Sequence, residues 1–195
     1  KVKDISQRTV RRDGPKVGPG LSVTQERRGH LKAEEVMARF GLPLFIKLAN
    51  QGLSVGVRKV DRIEEFDAAL ALAFSFDRKV LIEQGIKGRE IECAVLGNDA
   101  PEASPCGEVV VHDAFYSYDT KYISESGAQT VVPAAIAAET SDAIRDVAIK
   151  AFSALECFGM ARVAVFLTDD GEIIVNEVNT LPGFTNISMY PKLWQ

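Results

Sequence analysis

The chain has 195 residues, 46% hydrophobic and 26% charged, with a formal net charge of −4 and a pI of about 5.3. This is enough apolar material for a real core, with no apolar run long enough to span a bilayer and no signal-peptide pattern. The acidic balance argues against bulk nucleic-acid binding, although local Lys/Arg clusters can still hold phosphates; a cytoplasmic protein with no nucleic-acid or membrane partner is expected.

Residues 4–12 read as a helix, followed by the breakers Gly14-Pro15 and Gly18-Pro19-Gly20. A second helix over 32–40 ends at Gly41 and Pro43, and 44–48 reads as a strand. After a polar loop, 55–60 returns as another strand. Asp61 with Glu64 gives an N-terminal cap signal for a helix burying Phe66, Ala69, Leu70, Ala73 and Phe74. Residues 80–84 form a short buried strand ending at Gly85. Glu90, Glu92 and Ala94 alternate with Ile91, Cys93 and Val95, which predicts a half-buried strand. The polar stretch 112–127 reads as a surface loop. A helix over 141–156 turns Ile144, Val147, Ala148, Ala151, Phe152 and Leu155 inward. The order of elements suits an α+β protein of two lobes, 1–86 and 87–195. Cys93, Cys106 and Cys157 are odd in number and lack C-x-x-C spacing, so they are expected as reduced thiols in or near the core. His30 and His112 are isolated and receive no chemistry.

The C-terminal third carries the most chemistry. Asp170-Gly171 lies between two β-branched runs, 162–167 and 173–178, and predicts a two-residue hairpin turn. In that register Asp169 faces Glu172, Phe166 faces Val175, Ala164 faces Glu177, and Arg162 faces Asn179. Glu177 and Asn179 then project from one face beside Arg162. A carboxylate with an amide oxygen is a hard-oxygen pair suited to Mg²⁺, although Glu-x-Asn also fits a solvent-facing strand end. Asp169 and Asp170 are placed as turn residues, and Pro182-Gly183 breaks the chain after the strand. Further upstream, Lys47 ends an apolar strand and Gly52-Leu53-Ser54-Val55-Gly56 follows it. Glycines let backbone N–H groups approach phosphate and the lysine supplies a point charge; a plain β-turn fits the loop equally.

Together these stretches resemble the D-alanine–D-alanine ligases of the ATP-grasp superfamily. The resemblance runs from about residue 40 to 195 and rests on motifs in family order: Leu44-Phe45-Ile46-Lys47, Gly52 to Gly56, Val80-Leu81-Ile82-Glu83-Gln84-Gly85-Ile86, Arg89-Glu90-Ile91-Glu92-Cys93, Tyr116-Ser117-Tyr118-Asp119-Thr120-Lys121-Tyr122, and residues 159–193. It implies an ATP-grasp fold, with two α+β lobes around a nucleotide cleft. It also implies ATP-dependent joining of two D-alanine molecules through an acyl phosphate, for peptidoglycan synthesis. Nucleotide contacts are implied for Lys3, Lys47, Gly52, Ser54, Glu83, Gln84, Ile86, Glu90 and Lys121. Magnesium or manganese is implied at Glu177 and Asn179. Arg162 and the Gly183 N–H would stabilise the oxyanion, Ser188 would orient the second substrate's carboxylate, and Tyr116 and Tyr122 would close the substrate side. The resemblance is compatible with a homodimer. Family members carry further N- and C-terminal segments, so this chain, which starts at Lys1 and stops at Gln195, is expected to be an ATP-grasp portion.

Departures from the family pattern point the other way. Ala164 stands where the family has a metal-binding aspartate, Leu53 where the phosphate loop has serine, Leu48 where it has proline, and Val2 where it has aspartate. Two rival readings follow: a catalytically weakened nucleotide-binding module, and an ATP-grasp ligase for another carboxylate–amine pair.

Overall fold

The computed structural model describes residues 3–50, 57–111 and 128–195. The elements are α1 (Lys3–Asp13), β1 (Gly20–Thr24), α2 (Ala33–Phe40), β2 (Leu44–Leu48), β3 (Arg58–Val60), α3 (Phe66–Phe76), β4 (Lys79–Gln84), β5 (Arg89–Gly97), β6 (Glu102–Val111), β7 (Ala128–Val131), α4 (Ala138–Ala154), β8 (Gly159–Leu167), β9 (Ile173–Asn179) and α5 (Met189–Lys192). Short 3₁₀ segments at Gln25–His30 and Ile63–Glu65 precede α2 and α3. No helix among the described residues is long and apolar enough to cross a membrane.

Two compact units result, the first holding residues 3–5 and Gly18–Ile86, the second Ser6–Val17, 87–111 and 128–195. The first unit is a four-stranded antiparallel sheet in the order β1-β4-β2-β3. Its core gathers Val36 and Phe40 of α2, Phe66, Leu70, Ala73 and Phe74 of α3, and Leu44, Ile46, Leu48, Val80 and Ile82 of the sheet. The helix stripe expected for 66–74 is therefore the one buried, with Ala69 at its edge. The expected Asp61–Glu64 cap is instead made one residue later, where the Asp61 N–H donates to the Glu65 carboxylate at 3.1 Å. The added 3₁₀ turn accounts for the offset.

The second unit is a five-stranded antiparallel sheet, β7-β6-β5-β8-β9. On one face α4 packs through Ile144, Ala148, Ala151 and Phe152 onto Ile91, Cys93, Val95, Val163 and Val165. Residues 6–17 were expected in the first lobe. They belong to this unit because Val10 and Val17 enter its core and the Val175 N–H donates to the Lys16 carbonyl at 2.8 Å. Strands β1, β6 and β7 were not anticipated. In β6, Pro105 and Gly107 interrupt the sequence pattern, yet Pro105 falls at a register irregularity opposite Cys93 to Val95, where bulged backbone tolerates it, and Gly107 pairs regularly with Glu92. β5 is central, with β6 and β8 on either side, so Ile91 to Val95 are all buried rather than alternating.

Polar contacts pin the sheet. Arg89 donates from Nε and Nη2 to the two carboxylate oxygens of Glu108 at 2.8 and 2.7 Å, and these bonds hold the Glu108 carboxyl below its ordinary range. Cys93 and Cys106 are register partners and both buried. The proximity of the two thiols pulls Cys106 down to about 7, and the same contact with burial pushes Cys93 up.

Candidate active site

The open end of the β8–β9 ribbon is set by two features that offset each other. The turn is not the expected two-residue one. Gly171 donates to the Thr168 carbonyl at 3.0 Å and adopts a φ of +83°, the left-handed conformation glycine tolerates. The result is a three-residue loop, 169–171, with Leu167 opposite Ile173 and Phe166 opposite Ile174, not Val175. A register irregularity between Ala164 and Val165 then sets β9 back by one residue at Asn176. Beyond it the pairs are Ala164 with Glu177 and Arg162 with Asn179, as expected. Asp169 and Asp170 stay at the turn, Asp169 pairing with Lys87 at 3.1 Å and Asp170 accepting from the Thr168 hydroxyl.

Register partners share a face of a sheet, so β6, β5, β8 and β9 carry a lateral row of Gly107, Glu92, Ala164 and Glu177. One step along lie Ala94, Arg162 and Asn179. Ala164 is 5% exposed, so its methyl occupies a closed position between two carboxylates. Glu92 is equally buried, and its Oε1 is 3.2 Å from Arg162 Nε. That nitrogen has no aligned hydrogen bond, so the contact is an ion pair by distance with the N–H aimed off the oxygen. Asn179 Oδ1 accepts from the Leu181 N–H at 3.2 Å. Among the described residues, no three His, Cys, Asp or Glu side chains converge as a metal site. The donor set for a hard cation is therefore one carboxylate, Glu177, and one amide oxygen, Asn179, a chemically suitable but sparse pair.

The loop after β9 folds back on itself. Ser188 Oγ accepts from the Thr185 N–H at 3.0 Å and lies 2.9 Å from the Thr185 hydroxyl. A Cβ at Gly183 would sit 2.9 Å from that Oγ. The close approach of Ser188, not an unusual φ, is what favours glycine at 183.

In the first unit, Lys47 Nζ and Glu83 Oε2 are 2.6 Å apart, both side chains largely buried. The Gln84 N–H donates to the Pro19 carbonyl at 3.0 Å, and the Gly85 N–H to the Pro43 carbonyl at 2.8 Å. The backbone donor of Gln84 is thereby used by the fold. A Cβ at Gly85 would meet the Pro43 carbonyl oxygen at 2.8 Å, so this strand end tolerates no side chain. Ile86 follows at the end of the unit, and Lys3 opens α1 with its N–H on the Ala49 carbonyl at 3.0 Å. Glu90 lies on β5 two residues before Glu92, opposite Phe166. Gly52, Leu53, Ser54, Tyr116, Lys121 and Tyr122 lie outside the described residues. Sequence reasoning passed over Glu92 as an ordinary member of an alternating strand; its signal is the centrality of β5, which burial of both flanks reveals.

Residues 11–195 match the family described as D-ala D-ala ligase C-terminus. The chain belongs to that family. It is 60% identical over 193 residues to D-alanine–D-alanine ligase A of Salmonella typhimurium, covering 99% of this chain and 53% of that protein. The corresponding ligase of Escherichia coli strain K12 is 59% identical over the same span. The chain thus spans about half the length of the curated relatives it matches. Among solved structures, the VanG D-Ala:D-Ser ligase from Enterococcus faecalis superposes with a TM-score of 0.88 at 38% identity, covering 98% of this chain and 55% of that one. The D-alanine–D-alanine ligase from Coxiella burnetii gives 0.84 at 37% identity, covering 98% and 50%. The α+β fold is that of these ATP-grasp ligases.

Proposed function

We infer that this chain is the ATP-grasp portion of an ATP-dependent ligase that joins two D-alanine molecules for peptidoglycan precursor synthesis. The observation that carries the reading is the gathering of Arg162, Glu177 and Asn179 at one ribbon mouth, next to a loop closed by Gly183 and Ser188. Names of relatives more than half identical to this chain support the choice of substrate.

In this reading the carboxylate of the first D-alanine attacks the γ-phosphorus of ATP, which gives an acyl phosphate and ADP. The amine of the second attacks that carbonyl, and phosphate leaves. Lys47 supplies charge to the phosphates, Gly52 and Ser54 their backbone, and Lys121 a second cation. The Gln84 carbonyl and the Ile86 backbone address the base, Glu90 the ribose, and Lys3 and Glu83 complete the nucleotide set. Arg162 and the Gly183 N–H face the developing oxyanion, a role whose loss typically lowers turnover about 10²–10³-fold. Ser188 orients the second carboxylate, with one hydrogen-bonding valence left after its contacts to Thr185. Tyr116 and Tyr122 exclude water from an acyl phosphate that would otherwise hydrolyse. Glu177 and Asn179 would hold Mg²⁺ or Mn²⁺, which supplies charge neutralisation to the phosphates when bound.

Ala164 favours a second reading, a nucleotide-binding module with reduced turnover, because a buried methyl faces Glu177. Measuring ADP release from ATP with Mg²⁺, with and without D-alanine, separates the two. D-alanine-dependent ADP and dipeptide support the ligase. Binding of an ATP analogue without ADP release supports the module. ADP release indifferent to D-alanine would overturn the choice of substrate.

A further inference from the structure

Ser188 sits in a short turn whose own bonds fix its shape. The Ser188 N–H donates to the Thr185 carbonyl at 2.9 Å, and Ser188 Oγ accepts from the Thr185 N–H at 3.0 Å. These bonds do not fix where the turn stands, because both partners belong to it. Its placement on the sheet comes from α5, which begins one residue later. The Tyr190 hydroxyl donates to the Val95 carbonyl of the central strand β5 at 3.0 Å, a buried and long-range bond. That carbonyl lies at the β5–β6 register irregularity, where the Ala94 N–H donates to the Ser104 hydroxyl at 3.0 Å. Interrupted ladders of this kind offer backbone groups to other partners. Burial lifts the Tyr190 hydroxyl above its ordinary pKa, which keeps it a donor at neutral pH. The Tyr190 ring also meets the Phe184 ring, with centroids 5.8 Å apart and planes tilted by 42°. On β6, Gly107 gives α5 its floor: a Cβ there would meet Leu193 at 2.8 Å and Met189 at 3.2 Å. Met189, Tyr190 and Leu193 are all buried, whereas Leu181, Phe184 and Ile187 in the preceding loop are exposed.

We propose that Tyr190 is a positioning residue, whose hydrogen bond to the Val95 carbonyl sets where Ser188 Oγ stands and so how tightly the site holds D-alanine. This rests on the reading of Ser188 as the group that orients the second substrate's carboxylate. A helix of one turn has no stability of its own, so α5 is placed by the packing of Met189, Tyr190 and Leu193. Among these contacts the Tyr190 hydroxyl is the directional one. Apolar packing lets a short element slide by fractions of an ångström, whereas a 3.0 Å bond to a central-strand carbonyl holds one distance and one angle. Ser188 is two residues from that anchor, so a shift of α5 is passed to its Oγ. The exposed loop on its other side has few buried contacts to resist such a shift. Small misplacements of a substrate-orienting group are costly.

The test is Tyr190→Phe in the 195-residue chain, which keeps the ring against Phe184 and removes only the hydroxyl. Amide hydrogen exchange at Thr185 and Ser188 should accelerate about fivefold, the size of one lost hydrogen bond, while amides of α4 and β8 exchange as before. D-alanine binding is read from the amide shifts of residues 180–188, with Mg²⁺ and a non-hydrolysable ATP analogue present. It should weaken about fivefold, and affinity for the analogue should change less than about twofold. In a Ser188→Ala background the same substitution should alter D-alanine affinity less than about twofold, because the group it positions is gone. Equal weakening in both backgrounds, a parallel loss of analogue binding, or unchanged exchange at Thr185 and Ser188 would each overturn the proposal. Ser188→Ala alone tests the underlying reading: if it leaves D-alanine affinity unchanged, or the unaltered chain binds no D-alanine, the substrate role of Ser188 fails and this inference with it. A clear Ser188→Ala effect beside a silent Tyr190→Phe sinks the inference alone.

Discussion

Replacing Ala164 by aspartate tests the metal assignment through stability before any turnover is measured. The introduced carboxylate would stand one strand from Glu92 and one strand from Glu177, at a position only 5% exposed. Neighbouring strands lie about 4.8 Å apart, so side chains leaning away from each other bring carboxylates to about 7 Å. At an effective dielectric of about 20, each such pair repels by about 2 kcal/mol. Arg162, within 3.2 Å of Glu92, offsets the first pair and leaves about 2 kcal/mol of destabilisation from the second. For a chain of this size that lowers Tm by roughly 4–8 °C in metal-free buffer. Divalent cation reverses the sign of the local field. Mg²⁺ at about ten times its Kd returns about 1.4 kcal/mol, or roughly 3–6 °C. Thermal melts followed by circular dichroism, with Mg²⁺ against NaCl at matched ionic strength, measure both shifts. The Mg²⁺-dependent gain in Ala164→Asp should exceed that of the unaltered chain, and ADP release should rise. A variant that melts where the parent does without metal, or equal Mg²⁺ gains in both proteins, would refute the placement of a cation beside Glu177.

Three further outcomes follow from the geometry. Gly183→Ala puts a Cβ 2.9 Å from Ser188 Oγ and displaces the bond to the Thr185 N–H; ADP release should fall about tenfold or more with Tm lowered by only a few degrees, and unchanged kinetics would remove Gly183 from the oxyanion role. Arg89 holds the Glu108 carboxyl below its ordinary range, so this pairing stabilises the fold above the unfolded carboxylate pKa and is lost as pH falls through the lower folded value. Glu108→Gln should therefore lower Tm by roughly 3–6 °C at pH 7, with the gap closing below about pH 4 in a series of melts. Cys157 is partly exposed whereas Cys93 and Cys106 are buried, so a neutral maleimide counted by mass spectrometry should add once to the native chain and three times after denaturation; burial should protect Cys106 even with its thiol pulled down to about 7, and its early modification would mean that β5 and β6 open readily.

The helices were legible because their buried faces recur at helical spacing: Phe66, Leu70, Ala73 and Phe74 in α3, Ile144, Ala148, Ala151 and Phe152 in α4. The ribbon mouth was legible for a less secure reason. The two-residue turn expected at Asp170-Gly171 is a three-residue loop, and the one-residue error is cancelled by the irregularity beside Asn176. Without that bulge, Glu177 would have faced away from Ala164. Nothing local in a run of Ile, Val and Asn announces where a strand will bulge. Strands β1, β6 and β7 were missed because glycine and proline break the pattern at Gly18 to Gly20 and at Pro105 to Gly107, and only their partners across the sheet reveal them. Glu92 was misread for the same reason, since burial of an alternating strand depends on how many neighbours it acquires.

The substitution at Ala164 and the burial of Glu92 bear on one another. A carboxylate at 164 would itself be a diagonal-row neighbour of Arg162 along β8, two residues away on the same face, and would share its charge with the cation site. With alanine there, the positive charge of Arg162 is balanced from β5 alone among the contacts measured at this face, at 3.2 Å. The charge balance of the ribbon mouth thus depends on Glu92 more in this chain than it would with aspartate at 164. Introducing the aspartate should consequently make Glu92→Gln less damaging to stability, since a second carboxylate is then available to hold Arg162. If Glu92→Gln lowers Tm as much in the Ala164→Asp background as in the unaltered chain, the two positions are independent and the shared charge balance is wrong.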